Sequence, residues 1–513
     1  MAGSTRRHAI GWAAVIIGVL TLLRVAKGAG GPPYGVDASY YFQLARHIAS
    51  GDGFVTTVSL YHEGWILPSK TTIYPLWPLL LGYAGRAIGL DTAADLLPRV
   101  FYVISLVLLY LVARATALRM GALRLSNRWW IPDTAHWIVA IFGLAPRYFG
   151  ATTHPYTEGL AFSCAFASLL AIERFDRTRG PWAAALSGLF AGLAFLARTQ
   201  MIGIAVGCFV ALVWFALRDR SARKGAAVWS IVALSTVVPW FAFTGHIPFL
   251  RDIPVKRVSI PHTIEWTRQS GALEWLRVRI ESLGIMFGMS DAYSYVHSFG
   301  VVSYLVPLAA IGVLVELVRR RKLRAPQNLF VTATLIAGLF FFFNLTLYQS
   351  SVWMPWLFGW RHGLPFIILI MLAVPWLASR AGRLAPAIAI VLLFSVMSSA
   401  DATLAFVRSP DVALSTGEAQ LVAWLNAHPK RPSIITTNAQ ILGSMSDAHF
   451  YWTNCTATGE TIRAMLQQLP IDYIVMYERE ARCPFVMQTG PLRLVRAYGE
   501  PGRRVFVLQP LRR

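Results

Sequence analysis

Charge is what this sequence has least of: 14% of its 513 residues are Asp, Glu, Lys or Arg, against roughly 25% in a soluble globular protein. Hydrophobic residues make up 56% and the mean hydropathy is +0.51, which excludes a soluble enzyme of two or three domains. Disorder is excluded too, because a chain with 13% aromatic residues would not stay solvated. Cysteine is scarce, with four in the chain, and no Cys/His spacing of the zinc-site kind occurs. There is no repeat of fixed period and no low-complexity tract. The first apolar run follows Arg6 and Arg7, ends in Arg24 and Lys27, and has no small-residue cleavage site after it. It therefore reads as a retained span rather than a cleaved signal peptide. What remains is a polytopic membrane protein.

Acidic residues number 25 against 47 basic ones, a net charge of +22. In a soluble protein that balance would suggest nucleic acid. Here the basic residues gather in short clusters between apolar stretches, as cytoplasmic loops do under the positive-inside rule. At about 20 apolar residues per span, the sequence predicts eleven spans, near 9–27, 96–113, 131–150, 157–173, 182–197, 199–217, 226–244, 298–318, 328–347, 361–378 and 384–401. The stretch 74–89 is short, holds Pro75, Pro78 and Arg86, and is expected to lie in the outer interface. Arg114, Arg119, Arg124 and Arg128 then fall in the cytoplasm with Arg6, Arg7 and the later clusters, which together hold 20 of the 47 basic residues.

The expected fold is thus an α-helical membrane domain over 1–405, N-terminus in and C-terminus out, with outer-face juxtamembrane helices in the loops 28–95 and 245–297. From 406 to 513 the composition changes to that of a small extracytoplasmic α/β domain. Helices are expected at 415–427 and 459–469, and strands at 434–437, 472–477 and 505–508. Cys164 and Cys208 fall inside spans, whereas Cys455 and Cys483 share the outer domain and are predicted to form a disulfide.

This topology places the unusual polar residues on one side: Asp37, Glu63, His154, Glu158, Arg198, His246, His262, Arg361 and His362. Ionisable groups near spans are costly and often functional, so their convergence suggests an outward-facing polar cavity. Asp37 could be the N-cap of a helix over 38–49, a general base at the membrane surface, or both. Glu63 could be an exposed loop acid or a second catalytic carboxylate. Thr157 could cap the fourth span, with Glu158 complementing its dipole; His154 and Tyr156 precede them in the same turn. Arg198, Arg361 and His362 are basic residues on the side the rule disfavours. For Arg361 and His362 either snorkelling to headgroups or a phosphate site would account for that.

In this arrangement the chain resembles the GT-C superfamily of membrane glycosyltransferases, nearest to the protein O-mannosyltransferase and lipid A aminoarabinose transferase group. The resemblance rests on VDASYYFQLARHIASGDGF after the first span, then TIYPLWPLL, PYTEGL, GLFAGLAFLARTQ and WRHGLPFIIL in order, with a soluble domain after the last span. It implies an inverting transfer from a polyprenyl-phosphate sugar to an acceptor hydroxyl of a glycan, lipid or protein, on the extracytoplasmic face of a bacterial-type inner membrane. Asp37 would match the acceptor-activating carboxylate and Glu63 a second acid of the same loop. Arg198, Arg361 and His362 would match the donor-phosphate site, with His154, Tyr156 and Glu158 lining the cavity. Ala38 stands where mannosyltransferases carry a second adjacent acid, and Trp129–Trp130 falls on the cytoplasmic side instead of in an outer WWD motif. No cofactor is required by this chemistry; a divalent metal is left open, since Glu63 with an outer histidine could bind one. The competing readings are a lipid or sugar transporter or flippase, a polymerase or ligase of surface glycans, and a non-catalytic membrane assembly factor.

Overall fold

The computed structural model describes residues 2–27, 35–59, 67–71, 73–121, 132–244, 328–343, 361–380, 385–409, 413–453, 457, 459–480, 483 and 491–511. They form two compact units. Unit 1 comprises Met1–Gly28, Pro98–Thr153 and Thr157–Ser409, and unit 2 comprises Ala29–Leu97, His154–Tyr156 and Pro410–Arg513. The first outer loop therefore clusters with the C-terminal residues, where the sequence had grouped it with the spans. Val58 and Ser59 of that loop pair in parallel with Phe450 and Tyr451.

Unit 1 is helical. Its helices are α1 (Ala2–Lys27), the greater part of α4 (Leu90–Arg119), α5 (Thr134–Gly143), α6 (Pro146–Ala151), α7 (Glu158–Thr178), α8 (Pro181–Ala197), α9 (Ile202–Arg218) and α10 (Arg220–Thr244). Helices Leu329–Phe343, Ile367–Arg380 and Ala385–Arg408 follow. Among the described residues four helices are long and apolar enough to cross a membrane: Ile10–Lys27, Leu90–Arg119, Thr199–Arg218 and Arg220–Thr244. Shorter apolar helices accompany them at Thr134–Gly143, Pro181–Ala197, Leu329–Phe341 and Leu364–Trp376. Of the expected spans, 298–318 lies outside the described residues, as do 131, 344–347 and 384; the described parts of the other ten fall mostly on helix. The range 131–150 is not one helix. Pro146 lacks an N–H and pushes Ala145 out of helical geometry (φ −60°, ψ 115°), so α5 stops and α6 starts at the proline.

Ion pairs and helix ends sort unit 1 into two faces. At one, Arg119 lies 3.5 Å from Glu173 and 3.8 Å from Asp176, Arg177 bonds Glu173 at 2.7 Å, and Arg179 reaches Asp219 at 3.8 Å. Asp176 also accepts the backbone N–H groups of Leu329 and Phe330 at the start of helix Leu329–Phe343. At the other, Arg24 Nε donates to Thr152 O at 2.9 Å and Lys27 Nζ to Ser409 O at 2.7 Å. Both are carbonyls at helix C-termini, where a cation is favoured.

Unit 2 is built on a six-stranded mixed sheet in the order β2-β5-β4-β6-β8-β7. The strands are β2 (Val58–Ser59), β4 (Ser433–Thr436), β5 (His449–Trp452), β6 (Tyr473–Tyr477), β7 (Leu492–Tyr498) and β8 (Val505–Pro510); a separate small ribbon pairs β1 (Val55–Thr56) with β3 (Ser69–Lys70). β2 comes from the first outer loop and pairs in parallel with β5, Val58 opposite Phe450 and Ser59 opposite Tyr451. Successive side chains alternate between two cores, as a strand's period of two requires. Ile434, Phe450 and Val475 share one core with Val58, while Ile435, Tyr451 and Ile474 face the other with Ile462, Met465 and Cys483. Helices α2 (Val36–Ser50), α3 (Leu76–Ile88), Thr416–Asn426, Ala439–Met445 and Gly459–Gln468 complete the unit. At 13 residues α3 is about 20 Å long, short of the roughly 30 Å hydrocarbon thickness.

Candidate active site

Asp37 lies in the first turn of α2, where an acid favours the helix dipole. It is not the cap. The N-cap is Gly35, with extended backbone (φ −60°, ψ 160°), and Ser39 N–H donates to Gly35 O at 2.8 Å. The helix begins two residues before the expected range of 38–49. Glycine is needed here because a Cβ at Gly35 would collide with the Tyr156 hydroxyl. Tyr156 packs on the core of Ala38, Phe42, Ala45, Leu81, Ala93 and Ala94, which joins α2 to α3 and the start of α4. His154 meets the Tyr156 ring edge-on at 6.2 Å. Buried Trp77 donates from Nε1 to Pro155 O at 2.6 Å, fixing the turn 154–156. Unit 2 thus gathers three sequence motifs that are far apart in the chain: VDASYY, LWP and HPY.

In unit 1, Glu158 opens α7 and Arg198 follows α8 with extended backbone (φ −160°, ψ 117°). The two helices run antiparallel across a two-residue turn at 179–180, which brings Glu158 beside Arg198. Arg198 Nη1 donates to Glu158 Oε1, and its Nε donates to Gln200 Oε1 at 2.7 Å. Glu158 is fully buried and Arg198 is 6% exposed, so the pair is withdrawn from water and each charge depends on the other. Arg361 and His362 open the 3-10 turn Arg361–Phe366, which packs against α6. That is the face of unit 1 where Arg24 reaches Thr152.

The structure therefore places Asp37, His154 and Tyr156 in one unit, and Glu158, Arg198, Arg361 and His362 in the other. Glu63, His246, His262, Cys455 and Trp129–Trp130 lie outside the described residues. Cys483 is disulfide-bonded, while Cys164 and Cys208 are free thiols. Sequence reasoning missed Trp77, Gln200 and the role of Arg24. The signal for Arg24 was there: a cation in the last turn of an apolar helix, on the side that disfavours cations. Among the described residues no group of three or more His, Cys, Asp or Glu comes together to hold a metal.

The fold resembles that of the GT-C membrane glycosyltransferases. No family model and no curated protein matches the sequence. Among solved structures, ArnT from Cupriavidus metallidurans bound to undecaprenyl phosphate is similar over 98% of both chains, with a TM-score of 0.55 and 14% identity. The Archaeoglobus fulgidus oligosaccharyltransferase matches over 90% of this chain and 67% of its own, with a TM-score of 0.57 and 13% identity. The mycobacterial arabinofuranosyltransferase AftD matches over 97% of this chain and 40% of its own, with a TM-score of 0.52 and 17% identity.

Proposed function

We propose that this chain is an inverting glycosyltransferase that moves a sugar from a polyprenyl-phosphate donor to an acceptor hydroxyl at the extracytoplasmic face of the membrane. The observation that carries the reading is the end-to-end likeness in fold to ArnT, a protein that binds undecaprenyl phosphate. In this reading Asp37 is the base. Its carboxylate takes the proton from the acceptor hydroxyl as that oxygen attacks the anomeric carbon. The bond to the phosphate oxygen breaks on the opposite face, and the polyprenyl phosphate leaves as an anion. Arg198, Arg361 and His362 stabilise the charge that builds on it. Glu63 is the second acid of the same loop. A lipid delivers the sugar, so no nucleotide-binding fold is needed.

The test is transfer itself. Purified protein is incubated with undecaprenyl-phosphate-mannose or undecaprenyl-phosphate-arabinose, labelled in the sugar, and membrane extract. Label in a new product supports the reading; label that only crosses a vesicle bilayer makes the protein a transporter. Asp37→Asn should lower turnover by about 10²–10⁴-fold on protein that stays folded, because Gly35 and not Asp37 caps the helix and a first-turn charge is worth only about 0.3–1 kcal/mol.

A further inference from the structure

We propose that Arg46 is a positioning residue, clamping α2 onto the C-terminal end of helix Ala439–Met445 so that the C-terminal sheet aims Asp37. This rests on the assignment of Asp37 as the base.

Four observations within unit 2 carry it. First, α2 is built into the C-terminal core: Tyr40 and Leu44, one turn apart, share a cluster with Ile434, Leu442, Phe450 and Val475. Second, the chain after α2 adds β2 to the sheet edge. Third, Gln43 ties the helix to that strand's approach, donating from Nε2 to Thr57 Oγ1 and accepting from Thr56 Oγ1 at 2.9 Å. Fourth, the guanidinium of Arg46 forks onto the end of helix Ala439–Met445. Nη1 reaches Ser444 O at 3.2 Å; Nη2 reaches Gly443 O at 3.1 Å, Ser446 O at 2.9 Å and Asp447 Oδ1 at 2.9 Å.

Arg46 lies nine residues beyond Asp37, about 14 Å along the helix at 1.5 Å per residue. A helix is stiff over that length, so fixing one end sets the direction of the other. The clamp needs a rigid planar fork, which a lysine ammonium cannot supply. It also needs close approach: a Cβ at Gly443 would collide with Val58 Cγ2, so the helix and β2 meet only because position 443 lacks a side chain. A displacement of about 1 Å at the reacting groups can cost about 10²-fold in rate. The C-terminal domain is then part of the catalytic apparatus, although it need not touch substrate.

The experiment uses the full chain in three variants: Arg46→Met, Gly443→Ala, and Gly443→Ala with Val58→Ala, which removes the colliding methyl. Hydrogen exchange at 36–41, turnover of the two labelled donors, and binding of undecaprenyl phosphate are measured on folded protein. The first two variants should lose protection at 36–41 by tenfold or more. Their kcat should fall about 10–100-fold, with undecaprenyl phosphate binding within about twofold of wild type, and Val58→Ala should restore both readouts to Gly443→Ala. Unchanged exchange, or unchanged kcat per folded molecule with only a lowered melting temperature, would overturn the proposal and leave Arg46 a structural residue. Wild-type background Asp37→Asn separates the two readings. If it keeps turnover, the base assignment falls; if it loses turnover while Arg46→Met keeps it, the positioning role alone falls. Failure of wild-type protein to turn over either donor removes both.

Discussion

Arg198 and Glu158 stand forty positions apart in the chain and meet through a guanidinium N–H on a carboxylate oxygen, Glu158 fully buried and Arg198 nearly so. A buried pair of this kind adds little over an apolar substitute, but losing one partner strands the other charge. Arg198→Met or Glu158→Gln alone should therefore destabilise unit 1 by about 3–5 kcal/mol. The double variant should cost less than the sum of the two. Thermal unfolding of the four proteins in a double-mutant cycle checks this, and strict additivity would remove the coupling.

The basic face of unit 1 is expected in the cytoplasm and the C-terminal sheet outside. In intact cells, Thr178→Cys, beside the pairs of Arg177 and Arg179, should resist a membrane-impermeant thiol reagent. Lys430→Cys should react. Both positions are exposed, and the native Cys164 and Cys208 are buried. Labelling at 178 would reverse the orientation.

Cys483 should remain bonded in protein prepared without reductant, so alkylation after denaturation should count two thiols, those of Cys164 and Cys208. We propose Cys455 as the partner. The closed loop would then stabilise unit 2 by about 3–4 kcal/mol on the chain-entropy model, and Cys455→Ser should raise the thiol count to three. A count of four without reductant would remove the bond.

Unit 2 should lose stability on mild acidification. Burial pushes His47 below the ordinary histidine value, opposed by its hydrogen bond from Nδ1 to Asp52 and by Asp447, and reinforced by Arg46. Burial does the same to His449, with Arg431 and His47 adding to it. The unfolded chain therefore binds more protons than the folded one below about pH 6.5, so stability is held above that pH and falls beneath it. Asp52, whose carboxyl the Ser50 hydroxyl and His47 hold below its usual range, stays ionised throughout this window. The melting temperature should be lower at pH 5.5 than at pH 7.5, and His47→Gln should flatten the difference. An equally steep dependence in that variant would assign the effect elsewhere.

The helices of unit 1 could be read from the sequence because apolar length is a local property. The strands IITT and DYIVMY were legible for the same reason: short apolar runs with turn residues beside them, found at Ser433–Thr436 and Tyr473–Tyr477. β2 was not legible. Two residues carry no period, and the pairing partner of Val58 lies 392 positions away at Phe450. β7 escaped as well, because Leu492, Arg493, Leu494, Val495 and Arg496 mix charge with apolar residues on an edge that is largely exposed. At the site, the sequence placed Glu158 and Arg198 on one side but not in contact. The end of α8 at Ala197 was read correctly, but the pairing also needs α7 and α8 packed side by side, a tertiary contact that no local pattern carries. The cap of α2 was misassigned to Asp37 because Asp is a good cap, whereas Gly35 is required by a tyrosine 121 positions downstream.

Lys27 Nζ donates to the carbonyl of Ser409, and this has a consequence for biosynthesis. At about 5–20 residues per second, the ribosome reaches Ser409 roughly 20–80 s after Lys27, because 382 residues separate them. Until then the first helix has lipid and water where its last neighbour will be. A nascent chain released before residue 409 lacks that bond between the end of its first helix and the end of helix Ala385–Arg408.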